Sequence, residues 1–578
     1  MKKNTFTNLI SSAVIAAMTI TTGFAQTNLG AECGCPVVSS RATVLMSTLG
    51  VNANGELLAN QTLTCGNVYT LDQKIYVPNG ITLTIQPGTL IKGATAADPA
   101  NATALIIERG GKIIADGKKE CPIVFAAAAD PMDGTYSMTN VGQWGGVVLL
   151  GKATNNLKVG NTYYGGTNGV GFIEGFSASN GRDLYGAGDA AFPTADDADN
   201  SGILRYVSIR NAGAILAVSN ELNGLSLGSV GSGTTIEHIE IIACADDNIE
   251  LFGGKVNIKY ASVLFGNDDF FDYDLGWSGK AQFLFGIAGD SITGLHSTDN
   301  GFEADADDAK DLADFSINGT LKSHPFIYNV TLIGNGHVIP ASDNSGAAAI
   351  QAKENTQGEI YNSIFAGFRS GLHLATSRST ATAKGDGYDN WTNTSNAYNN
   401  GSGNSQYQSL IVKNNTFIGF GNTPTNQYPI TKGSLTTNPA TGSTGFNKIW
   451  KAATAASAAD LTQFTTTDGN SVVASVPGID ANWAWNTAAH TSYTTNPFHV
   501  TPLTNIASTI TAPADGFFSA VNFRGAFDAN KTSWLSEWAL NQVLTSQQTT
   551  PSDLDNDGDV DVDDLSIFVN AFGAPLSK

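Results

Sequence analysis

Two stretches of this sequence repeat one another 22 residues apart. TIEHIEIIACADDNIELFGG begins at Thr235, and VNIKYASVLFGNDDFFDYDLG begins at Val256. Ile239 and Ile241 of the first answer to Ala261 and Val263 of the second, and Asp247 answers to Asp269. The phrase ILRYVSIRNAG, with Val207 and Ile209, precedes them, and HSTDNGFEADAD, with Asp299, Glu303 and Asp305, follows. Each unit is a short β-branched alternation running into acids: Asp246, Asp247 and Glu250, then Asp268, Asp269, Asp272 and Asp274. A period of that length holds strands and turns but no crossover helix. Such a unit buries its apolar face only by stacking on its neighbours, so the repeat predicts coils of an all-β solenoid.

The same grammar extends along the chain. In KIYVPNGITLTIQPGTLIKG the pairs Ile75/Val77 and Leu83/Ile85 alternate with polar residues, and Pro-Asn-Gly and Pro-Gly punctuate them as turns. Val147 to Leu150 is a continuous apolar run of the kind buried on both faces. HPFIYNVTLIGNG, EIYNSIFAGFRSG and NNTFIGFGN resemble one another, and Val330 to Ser363, 33 residues, reads as one coil with a lateral loop. The expected lumen positions are Val207, Ile209, Ile239, Ile241, Val263, Val330, Leu332 and Ile418. The expected organisation is a signal peptide over 1–25, an irregular lead-in over 26–60, and a β-helix with loop insertions over 61–544. A linker over 545–552 and a small loop–helix module over 553–573 follow. A short helix is expected near 453–464. A second, with Leu535, Trp538, Ala539 and Val543 on one face, is expected to cap the open end.

Only 14% of the residues are charged, and 51 acids against 30 bases leave a net charge of −21. That field repels phosphate backbones, so nucleic acid is not an expected partner, and it favours cations. Lys2 and Lys3, the apolar run over 9–20 and Gly23-Phe24-Ala25 form an export signal. The run is too short to span a bilayer, and no later stretch qualifies. No cysteine follows the cleavage site, so the mature chain is expected to be secreted or held at the cell surface without a lipoprotein anchor. Of the five cysteines, Cys33 and Cys35 are too close to bridge each other, and their spacing is not a zinc pattern. A Cys65–Cys121 bridge is expected between early coils, and Cys244 is expected at an inward position as a buried thiol.

The most specific motif is at the C-terminal end: Asp553, Asp555, Asp557, Gly558, Asp559, Asp561 and Asp564. Carboxylates at loop positions 1, 3 and 5, a glycine at 6, a carbonyl at 7 (Asp559) and acids at 9 and 12 form the oxygen shell Ca²⁺ requires. The acid corners come next, with Asp246, Asp247, Asp268, Asp269 and Asp272 as a cation- or glycan-binding face. Neighbouring coils lie about 4.8 Å apart, so Asp247 and Asp269 could share a cation, grip a sugar or work as an acid–base pair. The structural alternative has these acids hydrogen-bonding local backbone at the coil corners. Gly224-Leu-Ser-Leu-Gly228 matches a serine-hydrolase elbow, but the glycine-rich turn behind it admits no helix, so it reads as a turn. His238, His324, His337 and His373 show no metal spacing. Arg205, Arg210 and Arg369 read as solvent-facing ion partners on the coil walls.

GITLTIQPGTLIKG, GQWGGVVLLGKA, DDADNSGILRYVSIR, NGLSLGSVGSGTTIEHIEI, DDNIELFGG and FFSAVNFRGAF together resemble a family of large secreted bacterial proteins, mostly uncharacterised. The resemblance covers most of the mature chain and implies a right-handed parallel β-helix at the cell surface, without established catalytic residues. The coil architecture also resembles pectate lyases and polygalacturonases. Asp246-Asp247 resembles a paired-acid motif there, while the companion Gly-His-Gly and Arg-x-Lys signatures of polygalacturonases are missing, with Gly336-His337 a partial echo. The terminal module resembles one half of a type I dockerin, an EF-hand-like repeat. It implies Ca²⁺ binding and a cohesin-like partner, although one repeat is visible where dockerins carry two.

Two functions follow as expectations. The first is a non-catalytic adhesive or structural surface protein that binds glycans or matrix proteins. The second is a polysaccharide lyase or glycoside hydrolase acting around Asp247/Asp269.

Overall fold

In the computed structural model the described residues are 26–546 apart from 158–168, 174, 177–179, 218–219, 290–297, 307–321, 335–347, 354–355, 369, 376–390, 392–409, 420–427, 434–435, 438–447, 450–453, 456–457, 480–497 and 541–544. The signal segment and the calcium-loop module therefore lie outside them. Among the described residues the chain forms two long sheets of 17 and 11 strands, parallel throughout except at the Thr431/Ala455 pairing. Consecutive coils pair in register: Ile239 opposite Ala261 on the large sheet and Ile249 opposite Phe271 on the smaller one. The 22-residue repeat is thus one coil, and the fold is an all-β parallel β-helix.

Strands such as Thr235–Ile242 and Asn257–Leu264 turn a corner midway, so the large sheet covers two sides of the rod. The corner is one residue in the left-handed region: Tyr206, His238, Tyr260, Phe283, Asn329, Asn362 and Asn414, with φ of 50–59°. Asparagine visits that region at little cost, whereas aromatic residues do so under strain. Here the aromatic ones stack across coils, with centroids 4.4 Å apart for Tyr206–His238 and His238–Tyr260, and 4.9 Å for Tyr260–Phe283. Packing of that kind offsets the strain.

Inward residues fill one continuous core. Val207, Ile209, Ile239, Ile241, Val263, Val330 and Leu332 are all in it, and buried Cys244 belongs to it as a free thiol. Ile418 is not. It is buried instead on the outer side, with Ile242, Leu264, Ile333 and Trp538. The left-handed corner at Asn414 resets the alternation, so Phe417 takes the lumen position and Ile418 points outward.

Three further expectations change. The parallel ladder begins at Ala42–Leu45, paired with Asn67–Leu71, inside the stretch read as an irregular lead-in. The disulfides are Cys33–Cys121 and Cys35–Cys65, not Cys65–Cys121. The left-handed Gly34 ends the turn Ala31–Cys33, and its two flanking cysteines reach different coils. Residues 531–540 form turns rather than a capping helix, and they lie along the flank of the rod. Lys119 pairs with Glu537 at 3.0 Å, Glu240 accepts from the Leu540 N–H at 3.1 Å, and Asn329 donates to the Phe523 carbonyl at 2.8 Å. This C-terminal strap covers the outer apolar column. Filling of the C-terminal lumen falls to the short helix Ala458–Thr462 and the π-turn Gln463–Thr467, whose Phe464 packs 4.9 Å from Phe417.

A candidate cation and glycan face

The smaller sheet carries the acids. In its strands Leu225–Gly228, Ile249–Phe252, Phe271–Asp274 and Phe302–Ala304, every other residue enters the lumen: Leu225 and Leu227, Ile249 and Leu251, Phe271 and Tyr273, Phe302 and Ala304. The alternate residues face out and stack in register as Ser226, Glu250, Asp272, Glu303, Gln351 and His373. Three carboxylates in succession on one column repel one another unless something positive joins them.

Just before this sheet the chain turns through the acid corner. Asp247 Oδ1 accepts the Asp269 N–H at 2.8 Å, and Asp269 Oδ1 accepts the Asn300 N–H at 2.6 Å. Asn300 Oδ1 in turn accepts the Ala348 N–H at 3.1 Å. This is the backbone-bonding role anticipated for acids at coil corners, and it clips each coil to the next. Asp269 is fully buried with Oδ2 unpartnered.

Ligand oxygens converge beside that ladder. Asp246, Asp247 and Asp268 each offer one within 4.8 Å of the others, and so do Asp247, Glu250 and Asp272. The structure thus joins four of the five face residues, Asp246, Asp247, Asp268 and Asp272, around Asp247, and leaves Asp269 outside both groups. Glu250 was absent from the expected face. Its signal was present in the alternation Ile249-Glu250-Leu251, which turns an acid outward beside Asp272. Burial, then the charges of Asp246 and Asp272, hold the Asp247 carboxyl well above the usual range. Burial and Asp268 do the same to Asp269, partly relieved by the Asn300 N–H. A hard cation fits such a set, because oxygen ligands of this kind gain most where their mutual repulsion is cancelled.

A pH dependence follows. The folded carboxyls of Asp247 and Asp269 titrate above their unfolded value, so the folded state holds protons that the unfolded chain releases. Their penalty is absent below the unfolded carboxyl value, grows as pH rises from there toward the raised folded values, and is complete above them. In EDTA, the denaturation midpoint is expected to fall from about pH 4 to pH 8, with Ca²⁺ restoring it at the upper end. Asp247→Asn keeps the Oδ1 acceptor and is expected to flatten both effects. Identical profiles for wild type and variant would remove the acid corner as their source.

The arginines are placed elsewhere. Arg205 pairs with Asp116 at 2.6 Å and Glu237 at 3.2 Å, as expected of a wall residue. Arg210 is 4% exposed rather than solvent-facing, and binds Ser208 and Gln26. Its strand continues into the face covered by the strap, so solvent is excluded. Arg369 and His337 lie outside the described residues. Lys353, on the acidic face, is engaged by Glu303 and, at 3.1 Å, by Asp305. His238 sits in the corner stack, and burial pushes it down to about 4. His324 lies 3.7 Å from Glu359, and burial pushes His373 down to about 3. Gly224 leads into the strand Leu225–Gly228 with no helix behind it, so the elbow reading does not apply. Asp553, Asp555, Asp557, Asp559, Asp561 and Asp564 lie outside the described residues.

No described helix is long and apolar enough to cross a membrane. No curated protein matches the sequence. The family model described as a pectate-lyase-like β-helix domain matches residues 55–423, which include most of the coils, the acid corner and the acidic column. This chain belongs to the pectate-lyase-like β-helix family.

Proposed function

We propose that this protein is an exported, non-catalytic surface protein that binds glycans through the acidic face with Ca²⁺ as the bridging ion. The observation that carries the reading is the convergence of Asp247, Glu250 and Asp272 on the outside of a rigid rod, with ligand oxygens within 4.8 Å of one another. A cation held there neutralises the face and presents open coordination positions to sugar hydroxyls or carboxylates. The Cys33–Cys121 and Cys35–Cys65 bridges support an oxidising compartment. The terminal aspartates 553–564 add a second Ca²⁺ loop, with a cohesin-like partner as its docking target. Lys353 is committed to two carboxylates, and Arg205 and Arg210 serve other faces, so neither arginine is placed to act as a base beside the acids.

One observation favours the lyase or hydrolase reading. Asp247, which holds its proton unusually well, stands beside Glu250 and Asp272, and such a pairing suits general acid–base work. One screen separates the two. The full chain is incubated with neutral and acidic polysaccharides in Ca²⁺ or EDTA, beside Glu250→Gln, Asp272→Asn and Asp555→Ala. Ca²⁺-dependent retention without product, lost in the first two variants and kept in the third, is the expected result. Product release abolished by Glu250→Gln or Asp272→Asn would replace this proposal with the enzyme.

A further inference from the structure

The geometry points to a second ligand site, for a short neutral oligosaccharide, at the N-terminal end of the rod. A cavity of about 760 Å³ opens there, within the size range of small-ligand sites. Its floor is the strand Ile75–Val77, an outermost strand of the smaller sheet, which turns Tyr76 outward. The acidic column lies further along the same face. Between them the hairpin Val170–Phe172/Leu184–Gly186 lies over an apolar cluster that includes Ile106, Val148 and Tyr185. The two sites are therefore separate.

The floor is preorganised. Tyr76 Oη donates to Asp183 Oδ1 at 3.1 Å, and the Arg182 guanidinium lies 4.5 Å over the Tyr76 ring. Arg182 also reaches the Asn54 carbonyl at 3.1 Å and Glu56 at 3.6 Å. Lys74 Nζ lies 5.7 Å over the Phe176 ring and 3.4 Å from the Ala100 carbonyl. Both cations are thus already held by the protein, and Asp72 and Asp183 on the same wall balance their charge. With Glu56 beside Arg182, two bases face three acids here, so the cavity disfavours an anionic ligand and has no excess of cations to attract one.

What remains for a ligand is amide and ring. Asn54, Gln73, Asn101 and Asn180 line the cavity, and a carboxamide donates and accepts at once, as adjacent sugar hydroxyls require; Asn101 already gives one Nδ2–H to Asp98 at 3.0 Å. Half-buried Phe176 offers apolar carbon for the C–H face of a sugar ring. An anionic ligand would instead have to detach Lys74 or Arg182 from its present partners.

Calorimetry on the full chain tests this. It is run in EDTA, which silences the cation-dependent face, with cellotriose, xylotriose, maltotriose, mannotriose and trigalacturonate as probes. At least one neutral trisaccharide is expected to bind and trigalacturonate not to. Asn101→Ala and Phe176→Ala are each expected to weaken that binding about tenfold, whereas Glu250→Gln leaves it unchanged. Asn101 is a surface residue, so its variant tests the site without threatening the fold. Heat from none of the neutral sugars, preference for trigalacturonate, or binding indifferent to both variants would overturn the proposal. None of those results touches the Ca²⁺-dependent face, which is read in the other screen.

Discussion

Trp538→Ala is expected to lower the stability of the folded chain by about 3–5 kcal/mol, the usual cost of truncating a fully buried large aromatic. Trp538 is 1% exposed in the C-terminal strap. Its ring meets Tyr206 edge-on at 5.7 Å and His238 at 6.0 Å, and its indole N–H donates to the Trp534 carbonyl at 2.7 Å. Those two partners are strained corner residues whose left-handed backbone depends on the stack around them. Removing the indole therefore opens a cavity over the stack and loosens the lid on Ile242 and Leu264. Denaturant midpoints measure the loss, and limited proteolysis locates it, with new cleavage expected between residues 500 and 540. Trp538→Phe should recover much of the stability. An unchanged midpoint in Trp538→Ala would show that the strap is not part of the cooperative unit.

Breaking the two disulfides is expected to cost a comparable amount. Cys33–Cys121 closes a separation of 88 residues and Cys35–Cys65 one of 30. In the chain-entropy picture those loops are worth roughly 4.6 and 3.6 kcal/mol taken singly. The loops overlap, so the double loss is less than the sum. Cys33→Ser/Cys121→Ser should therefore destabilise more than Cys35→Ser/Cys65→Ser. Cys244 supplies the readout: burial raises its thiol and shields it in the native state, so alkylation there reports unfolding. Equal alkylation rates in oxidised and reduced protein would mean that the bridges do not stabilise the coils.

How much of this was legible in the residues follows from what repeats. A solenoid coil meets the same surroundings as its neighbours, so the lumen alternation of Ile239/Ile241 and Ala261/Val263 and the 22-residue period between them reflect one packing rule applied twice. The acid corner was legible for the same reason, because Asp247 and Asp269 recur with the coil. Its division of labour was not legible. Both acids accept a neighbour's N–H, yet only Asp247 joins Glu250 and Asp272, because that grouping depends on side-chain direction at two successive turns.

The sequence by itself determined the coil, its inward residues and the parallel stacking, since all three follow from short-range periodicity and the burial it demands. Only the tertiary structure decided which cysteines meet, where Ile418 points and where the last residues lie. Each of those turns on a contact between segments distant in the chain. Cys33 finds Cys121 because a left-handed glycine turns the chain between the cysteines, and Ile418 faces outward because the corner at Asn414 resets the alternation. The Trp534/Trp538 segment has a helical pattern but lies flat as turns. It packs instead along the flank on the apolar column of Ile242, Leu264 and Ile333, and that column exists only once the coils have stacked.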